Sequence, residues 1–275
     1  MSVPAPAARS RFAAMVGLPE EAIDLASAAL LIAAEEYPQL VIEPYLRRLD
    51  LLAERVRDRL SDETAPIVVL QDVNRVLFME EGFHGNQEDY YDPRNCFLND
   101  VLDRRVGIPI TLSIIYLEVG WRLGLPLEGV NFPAHFMVRY CGEALQLLID
   151  PFQTGVVRFE DEAQELLDHA YGGRVELRPQ FLRPATRKDI LVRLLSNLKS
   201  IYLNHHDDVR ALNTIERILL IRPDSNDDVR DRGMTLVRLG REAEAVPVLR
   251  EYLQRAPTAP DASSVRLLLD QLEPK

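Results

Sequence analysis

Sulfur is scarce in this chain. Its 275 residues include only two cysteines, Cys96 and Cys141, too few for a disulfide scaffold or a thiolate metal cluster, and a reducing compartment would hold both as free thiols. The five histidines, His84, His135, His169, His205 and His206, show no HxxxH spacing and pair with no CxxC, so no metal site is expected. Positive charge is also short: 32 Lys and Arg stand against 43 Asp and Glu, a formal net charge of −11. That balance argues against a nucleic-acid partner, which needs clustered cations to neutralise phosphates, and against an anionic membrane surface. The longest apolar run, Leu25 to Ala34, is far short of the roughly 20 residues of a membrane span. The opening MSVPAPAARSRF lacks the apolar core of a secretory signal. Together these absences predict a cytoplasmic protein with no cofactor, and they say nothing of its oligomeric state.

What is present is mostly helix-forming. A loose N-terminal tail is expected to give way to a helix entered at Pro19, with Glu20 and Glu21 favourably placed in its first turn, stopping at Pro38. A surface helix from Pro44 carries Leu46, Leu49, Leu52, Ala53, Val56 and Leu60 at helical spacing. A third runs from about Ala65 to Glu80 and ends at Gly82, a natural C-cap. Asn95 to Pro126 then reads as a short helix, a turn at Arg105 to Gly107, and a long helix from about Ile108 to Leu123. The long helix is apolar almost all round, which marks it as a buried core element.

Between the third helix and this core lies the aperiodic loop Gly82 to Arg94, mixing glycines, aromatics, a histidine and carboxylates. Such a loop either binds something or ties itself down with local hydrogen bonds. Its His84, Asn86, Tyr90, Tyr91, Asp92 and Arg94, with Asn95, are the candidates for a binding groove. After the core helix the period shortens, and Leu127–Phe132, Ala134–Tyr140 and Leu145–Ile149 predict three strands, with a hairpin turn at Cys141 to Ala144. A helix over Phe159–Tyr171 and a Pro- and Arg-containing linker follow, placing a domain boundary between residues 185 and 186.

Beyond the linker the sequence repeats. Pro223 and Pro257 stand 34 residues apart, the period of tetratricopeptide helix pairs. The same offset relates Leu195 to Val229, Tyr202 to Leu236, Ala211 to Ala245 and Ile215 to Leu249, while Gly233 and Ala245 supply small residues for close helix packing. The predicted fold is therefore α+β over 1–185, with a small antiparallel sheet on a buried core helix, and all-α over 186–275.

Gly107-x-Pro109, the long helix closing at Gly124-Leu125-Pro126, then His135 and Asp150 resemble the core of the transglutaminase-like superfamily. The phrases GFHGN, YYDPRN, LNDVLDRRVGIPITLS and PAHFMVR resemble more closely its SirB-type bacterial family, which joins that papain-like domain to C-terminal tetratricopeptide repeats. The resemblance implies a cysteine two residues after the glycine, a histidine on a following strand and an aspartate on the next. His135 and Asp150 match the last two, but Pro109 occupies the cysteine position. A helix-N-terminal thiol beside a histidine is a populated thiolate near neutral pH; a proline there offers no nucleophile. The expectation is a non-catalytic domain acting as a protein-binding or regulatory adaptor, with a protein or peptide partner on the repeats and groove. The alternative is an amide hydrolase or acyl-transferase in which Cys96 or Thr111 serves His135 and Asp150. Ser113, in the first turns of the same helix as Thr111, offers a second hydroxyl, and Cys141 is a weaker substitute.

Overall fold

The computed structural model describes residues 5–61, 65–143, 146–158 and 160–272. It separates into two compact units, Met1–Leu194 and Leu195–Lys275. Among the described residues no helix is long and apolar enough to cross a membrane.

The first unit opens with a helix where a loose tail is expected. α1 (Ala5–Val16) buries Ala8, Phe12 and Val16, one residue per turn on a single stripe, and Arg9 grips Glu35 through two hydrogen bonds of 2.8 Å. Glu20–Ala22 forms only a 3-10 turn. The next helix, α2 (Leu25–Glu36), starts five residues after Pro19's neighbour Glu20 because Asp24 caps it, accepting from the Ser27 amide at 2.9 Å. Asp and Ser at a helix start satisfy amides that the helix cannot. α3 (Glu43–Arg57) buries Leu49, Leu52, Ala53 and Val56. α4 (Pro66–Asn74) is followed by a π-helical turn, Arg75–Glu80, so the expected third helix changes pitch before ending at Gly82, whose φ is +76°.

β1 (His84–Gly85) pairs in parallel with β2 (Val106–Gly107), and α5 (Leu98–Arg104) lies between them in sequence. α6 (Pro109–Arg122) is the core helix, buried continuously from Pro109 to Gly120. Its one buried carboxylate, Glu118, accepts the Ala26 amide of α2 at 3.0 Å and pairs with Arg122, so the charge is shared between a helix start and a guanidinium. Gly120 is small for a reason: a Cβ there would lie 2.1 Å from Leu127 of the adjoining strand.

The main sheet has five strands where three are expected. They are β3 (Leu127–Val130), β4 (Met137–Cys141), β5 (Gln146–Asp150), β6 (Val156–Arg158) and β7 (Pro184–Ala185), antiparallel in the order β6-β5-β4-β3-β7. β4 starts at Met137, not Ala134, because Pro133 cannot donate to a ladder and Ala134 takes φ +59°. Residue 144, at the end of the expected hairpin turn, residue 145, at the expected start of the third strand, and residue 159, at the expected start of the next helix, lie outside the described residues. That helix is α7 (Glu160–Tyr171), and α8 (Arg187–Asn204) contains the division between the units.

In the second unit α9 (Asp208–Ile221), α10 (Asn226–Arg238), α11 (Glu242–Arg255) and α12 (Ala262–Leu272) alternate with short turns. Apart from the turn prolines Pro223 and Pro257, the residues related by the 34-residue offset are all buried. Gly233 lets α10 approach α11 so closely that a Cβ would fall 2.4 Å from Leu249. At the α8–α9 turn His206 is left-handed and Asp207 caps α9 through the Arg210 amide, a local role for this polar cluster.

Candidate functional site

The site is built where the first turns of α6 meet the ends of β4 and β5. Ile108 enters α6 extended and Pro109 takes the first helical position, where its missing N–H and fixed φ cost nothing. Thr111 closes the turn: its hydroxyl accepts the Ile108 amide at 3.1 Å and donates to the Asn95 carbonyl at 2.8 Å. One turn further on, Ser113 donates to the carbonyl of Phe136, at 3.4 Å, which seats the residue after His135 against the helix. The left-handed Ala134 and a bond from the His135 amide to the Phe132 carbonyl then turn the histidine off the start of β4. His135 is therefore a loop residue, not the strand residue that alternation predicts.

Its ring nitrogen Nε2 lies 2.9 Å from Asp150 Oδ1, at the end of β5. Asp150 is 1% exposed and held on all sides. Its Oδ1 also accepts the amides of Phe152 and Gln153, and its Oδ2 accepts Arg158 Nε at 3.3 Å. Burial pushes this carboxyl up, but the His135 bond and charge, Arg158 and the Gln153 amide outweigh it and hold it below the usual carboxylate range. An ionised carboxylate only accepts, so Nε2 carries the proton of the bond and Nδ1 is the ring's open position. Among the described residues the ring has no other hydrogen bond. Phe152 stands edge-on to it, with centroids 6.1 Å apart.

The substitute nucleophiles are placed elsewhere. Cys96 closes a 3-10 turn, Pro93–Cys96, and is fully buried, which pushes its thiol far up; a buried protonated thiol is a small hydrophobe. Thr111 spends its oxygen on the two backbone groups named above. Cys141 donates to Glu128 at 3.2 Å on β4, and burial with that carboxylate pushes its thiol up. Neither cysteine nor either hydroxyl hydrogen-bonds His135.

The loop of residues 82–95 does two things at once. Asn95, fully buried, donates to the carbonyls of Asp89 and Tyr90 and accepts from Asn86. Asp92 is buried under Arg94, 2.7 Å away; burial raises its carboxyl, and the Arg94 bonds and charge bring it below its ordinary value. These residues fix the loop. His84 and Asn86, with Gly85, Arg104, Phe152 and Thr154, line a cavity of about 580 Å³. Phe152 serves both sides, since a Cβ on Gly85 would lie 2.5 Å from its ring. Tyr90 packs edge-on against Phe152 and Tyr91, and Tyr91 is exposed. Phe152, Gln153 and Arg158 are not singled out by sequence; only their nearness to Asp150 along the chain points to them.

The profile of the transglutaminase-like superfamily matches residues 43–196, and that of the tetratricopeptide repeat matches residues 198–270. The UPF0162 protein of Xylella fastidiosa is 39% identical over 250 residues, 90% of this chain and 89% of the relative. The chain belongs to the transglutaminase-like superfamily, in its UPF0162 family. A second UPF0162 protein, from Vibrio cholerae, is 32% identical over 200 residues, 72% of this chain and 73% of the relative. A stretch of 84 residues, 30% of this chain, is 48% identical to F-box only protein 21 of Mus musculus, of which it spans 13%. No solved structure matches the chain. In this UPF0162 chain the transglutaminase-like helix thus begins on Pro109 and, one turn on, is tied through Ser113 to the residue after His135, the partner of Asp150.

Proposed function

We propose that this UPF0162 chain is a non-catalytic transglutaminase-like protein that acts as a protein-binding adaptor, with the groove around His135 and the tetratricopeptide repeats as its binding surfaces. The observation that carries the reading is the neighbourhood of His135. The ring is oriented by an ionised Asp150 as a general base would be, yet the helix that Ser113 ties to the residue after His135 starts on a proline, and among the described residues no thiol or hydroxyl bonds the ring. Tetratricopeptide repeats generally mediate protein contacts, and the matched region over 198–270 supplies such a surface.

The test has two arms on the full chain. Intact-mass spectrometry after incubation with p-nitrophenyl acetate and, separately, iodoacetamide at neutral pH should find no adduct that depends on His135. An acyl group on Cys96, Thr111 or Ser113, lost in His135→Ala, overturns the reading in favour of the amide hydrolase or acyl-transferase. In the second arm, proteins captured from a lysate of a UPF0162-bearing bacterium should include one whose retention falls on Tyr91→Ala, an exposed change at the groove. Retention of nothing in both the native and variant forms counts against the adaptor.

A further inference from the structure

Arg193 on α8 differs from the ion-paired arginines of this unit. Arg139 lies 2.7 Å from Glu128, Arg94 2.7 Å from Asp92, Arg122 2.7 Å from Asp50, and Arg158 3.3 Å from Asp150. Arg193 is half-buried, and among the described residues it has no carboxylate within ion-pair distance; its one hydrogen bond runs from Nη1 to Asn131 Oδ1, at 2.8 Å. The titratable groups that act on it are two phenols, Tyr90 and Tyr171. Burial accordingly pushes its guanidinium below the ordinary value. Every other shifted arginine among the described residues is raised by a carboxylate. In a chain with 43 acidic residues, a half-buried cation without an acidic neighbour is not explained by a shortage of partners.

Its place in the fold gives the reason. Asn131 directly follows β3, and the next residue, Phe132, accepts the His135 amide through its carbonyl at 3.1 Å. The side chain that holds Arg193 therefore belongs to the loop that presents His135. On the other side Tyr90 feels the Arg193 charge, which opposes the upward push of burial on its phenol. Tyr90 lies 6.2 Å from Phe152, and Phe152 lies 6.1 Å from His135, centroid to centroid. Arg193 is thus tied to the loop that presents His135, and Tyr90, on which its charge acts, reaches that ring through Phe152. A guanidinium is a planar fork of donors suited to a carboxylate, and a neutral amide as its hydrogen-bond partner leaves the charge of Arg193 uncompensated.

We infer that Arg193, steadied by Asn131 and flanked by Tyr90, anchors a carboxylate of a peptide bound alongside His135. This rests on the adaptor reading and gives its groove a ligand chemistry. The carboxylate comes from a peptide C-terminus or from a Glu or Asp side chain, and the same fork serves both.

The experiment is a titration of the full isotopically labelled chain, followed by NMR at the Arg193 Nε–Hε signal. Four probes separate the sources: N-acetyl-tetraalanine with a free C-terminus, its C-terminal amide, and N-acetyl-Ala-Glu-Ala amide beside its Gln counterpart. Saturable shifts with one or both acids, and none with the neutral partners, are expected; the responding acid names the source. In the variants binding is followed at the side-chain amide of Asn131, and Arg193→Gln should weaken it about 10- to 100-fold, as loss of a charge-assisted bidentate contact does. Arg193→Lys keeps the charge and the fold and should retain a part of the affinity, so a folding defect in the Gln variant is recognised. Equal shifts with acid and amide, unchanged binding in Arg193→Gln, or no shift with any acid at millimolar concentration overturns the anchor. The first two of these leave the groove a binding site, whereas cleavage of a bound acidic peptide would keep the anchor and end the adaptor reading.

Discussion

If the start of α6 is a nucleophile position that lacks only its sulfur, Pro109→Cys should create a reactive thiol. The new side chain would stand at the first helical position, one turn from the Ser113 bond that seats Phe136, and hence His135, against the helix. Helix-terminal amides and a neighbouring histidine favour a thiolate. An ordinary cysteine with pKa about 8.5 is about 3% thiolate at pH 7, and one brought to about 6.5 is about 75%. The gain in population is about 25-fold, but a less basic thiolate attacks more slowly, by about eightfold over two pKa units. The net advantage is only about threefold at pH 7 and grows to about 11-fold at pH 5.5. The pH profile, not the rate at neutrality, is therefore diagnostic. Carbamidomethylation followed by intact mass from pH 5 to 9 should rise with a midpoint near 6.5 in Pro109→Cys and near 8.5 once His135→Ala is added. The background is quiet, because burial pushes both native thiols up. A midpoint of about 8.5 in both folded variants would falsify the assignment of Pro109 to the nucleophile position.

Three further outcomes test the fold around the two units. Asp150 is held below its ordinary value, so it contributes stability that is fully present above pH ~3.9 and is lost as pH falls through the lower, folded value; urea midpoints of the native chain should drop more steeply below pH 4 than those of Asp150→Asn, which should cost about 3 kcal/mol at neutrality, and parallel curves would refute this. Thr111→Val removes the oxygen that joins Ile108 and Asn95 and should cost about 1–2 kcal/mol by urea unfolding; a change inside about 0.5 kcal/mol would show that neither bond matters. Gly233→Ala would gain about 1 kcal/mol from helix propensity alone, but a Cβ 2.4 Å from Leu249 should make it a net loss of about 1–3 kcal/mol, seen as lost hydrogen-exchange protection in α10 and α11.

The elements legible in the sequence are those whose pattern is local. α6 announces itself because its apolar residues leave no polar stripe, and the repeats because Leu195, Tyr202, Ala211 and Ile215 have partners 34 residues on, all buried. α1 was hidden because only Phe12 among Ala8, Phe12 and Val16 is a large side chain, set among Ala, Pro and Arg. β6 and β7, three and two residues long, are too short for alternation to register. The π turn over Arg75–Glu80 preserves a helical look while altering its pitch. The resemblance located His135 and Asp150, and the structure joins them across 15 residues of sequence. Arg193 could not be found in the same way: its partner Asn131 is 62 residues away, and a lone arginine on an amphipathic helix reads as solvated.

Asp150 and His135 are not equally fixed by the fold. Asp150 caps the turn after β5, holds two amides there and reaches Arg158 on β6, so its carboxylate is required even with no ring beside it. His135 has the opposite standing. Among the described residues its side chain makes a single hydrogen bond, to an oxygen that already has two backbone donors, and its Nδ1 is open. A neutral polar residue of similar size could close the same loop, since the backbone bond from residue 135 to Phe132 needs no imidazole. What an imidazole adds is a site that accepts or releases a proton, placed beside an aromatic wall and within the same loop as the side chain holding an unspent guanidinium. Those properties are directed outward, at whatever enters the groove, and a ligand bearing both a hydrogen-bonding group and a carboxylate would use them together.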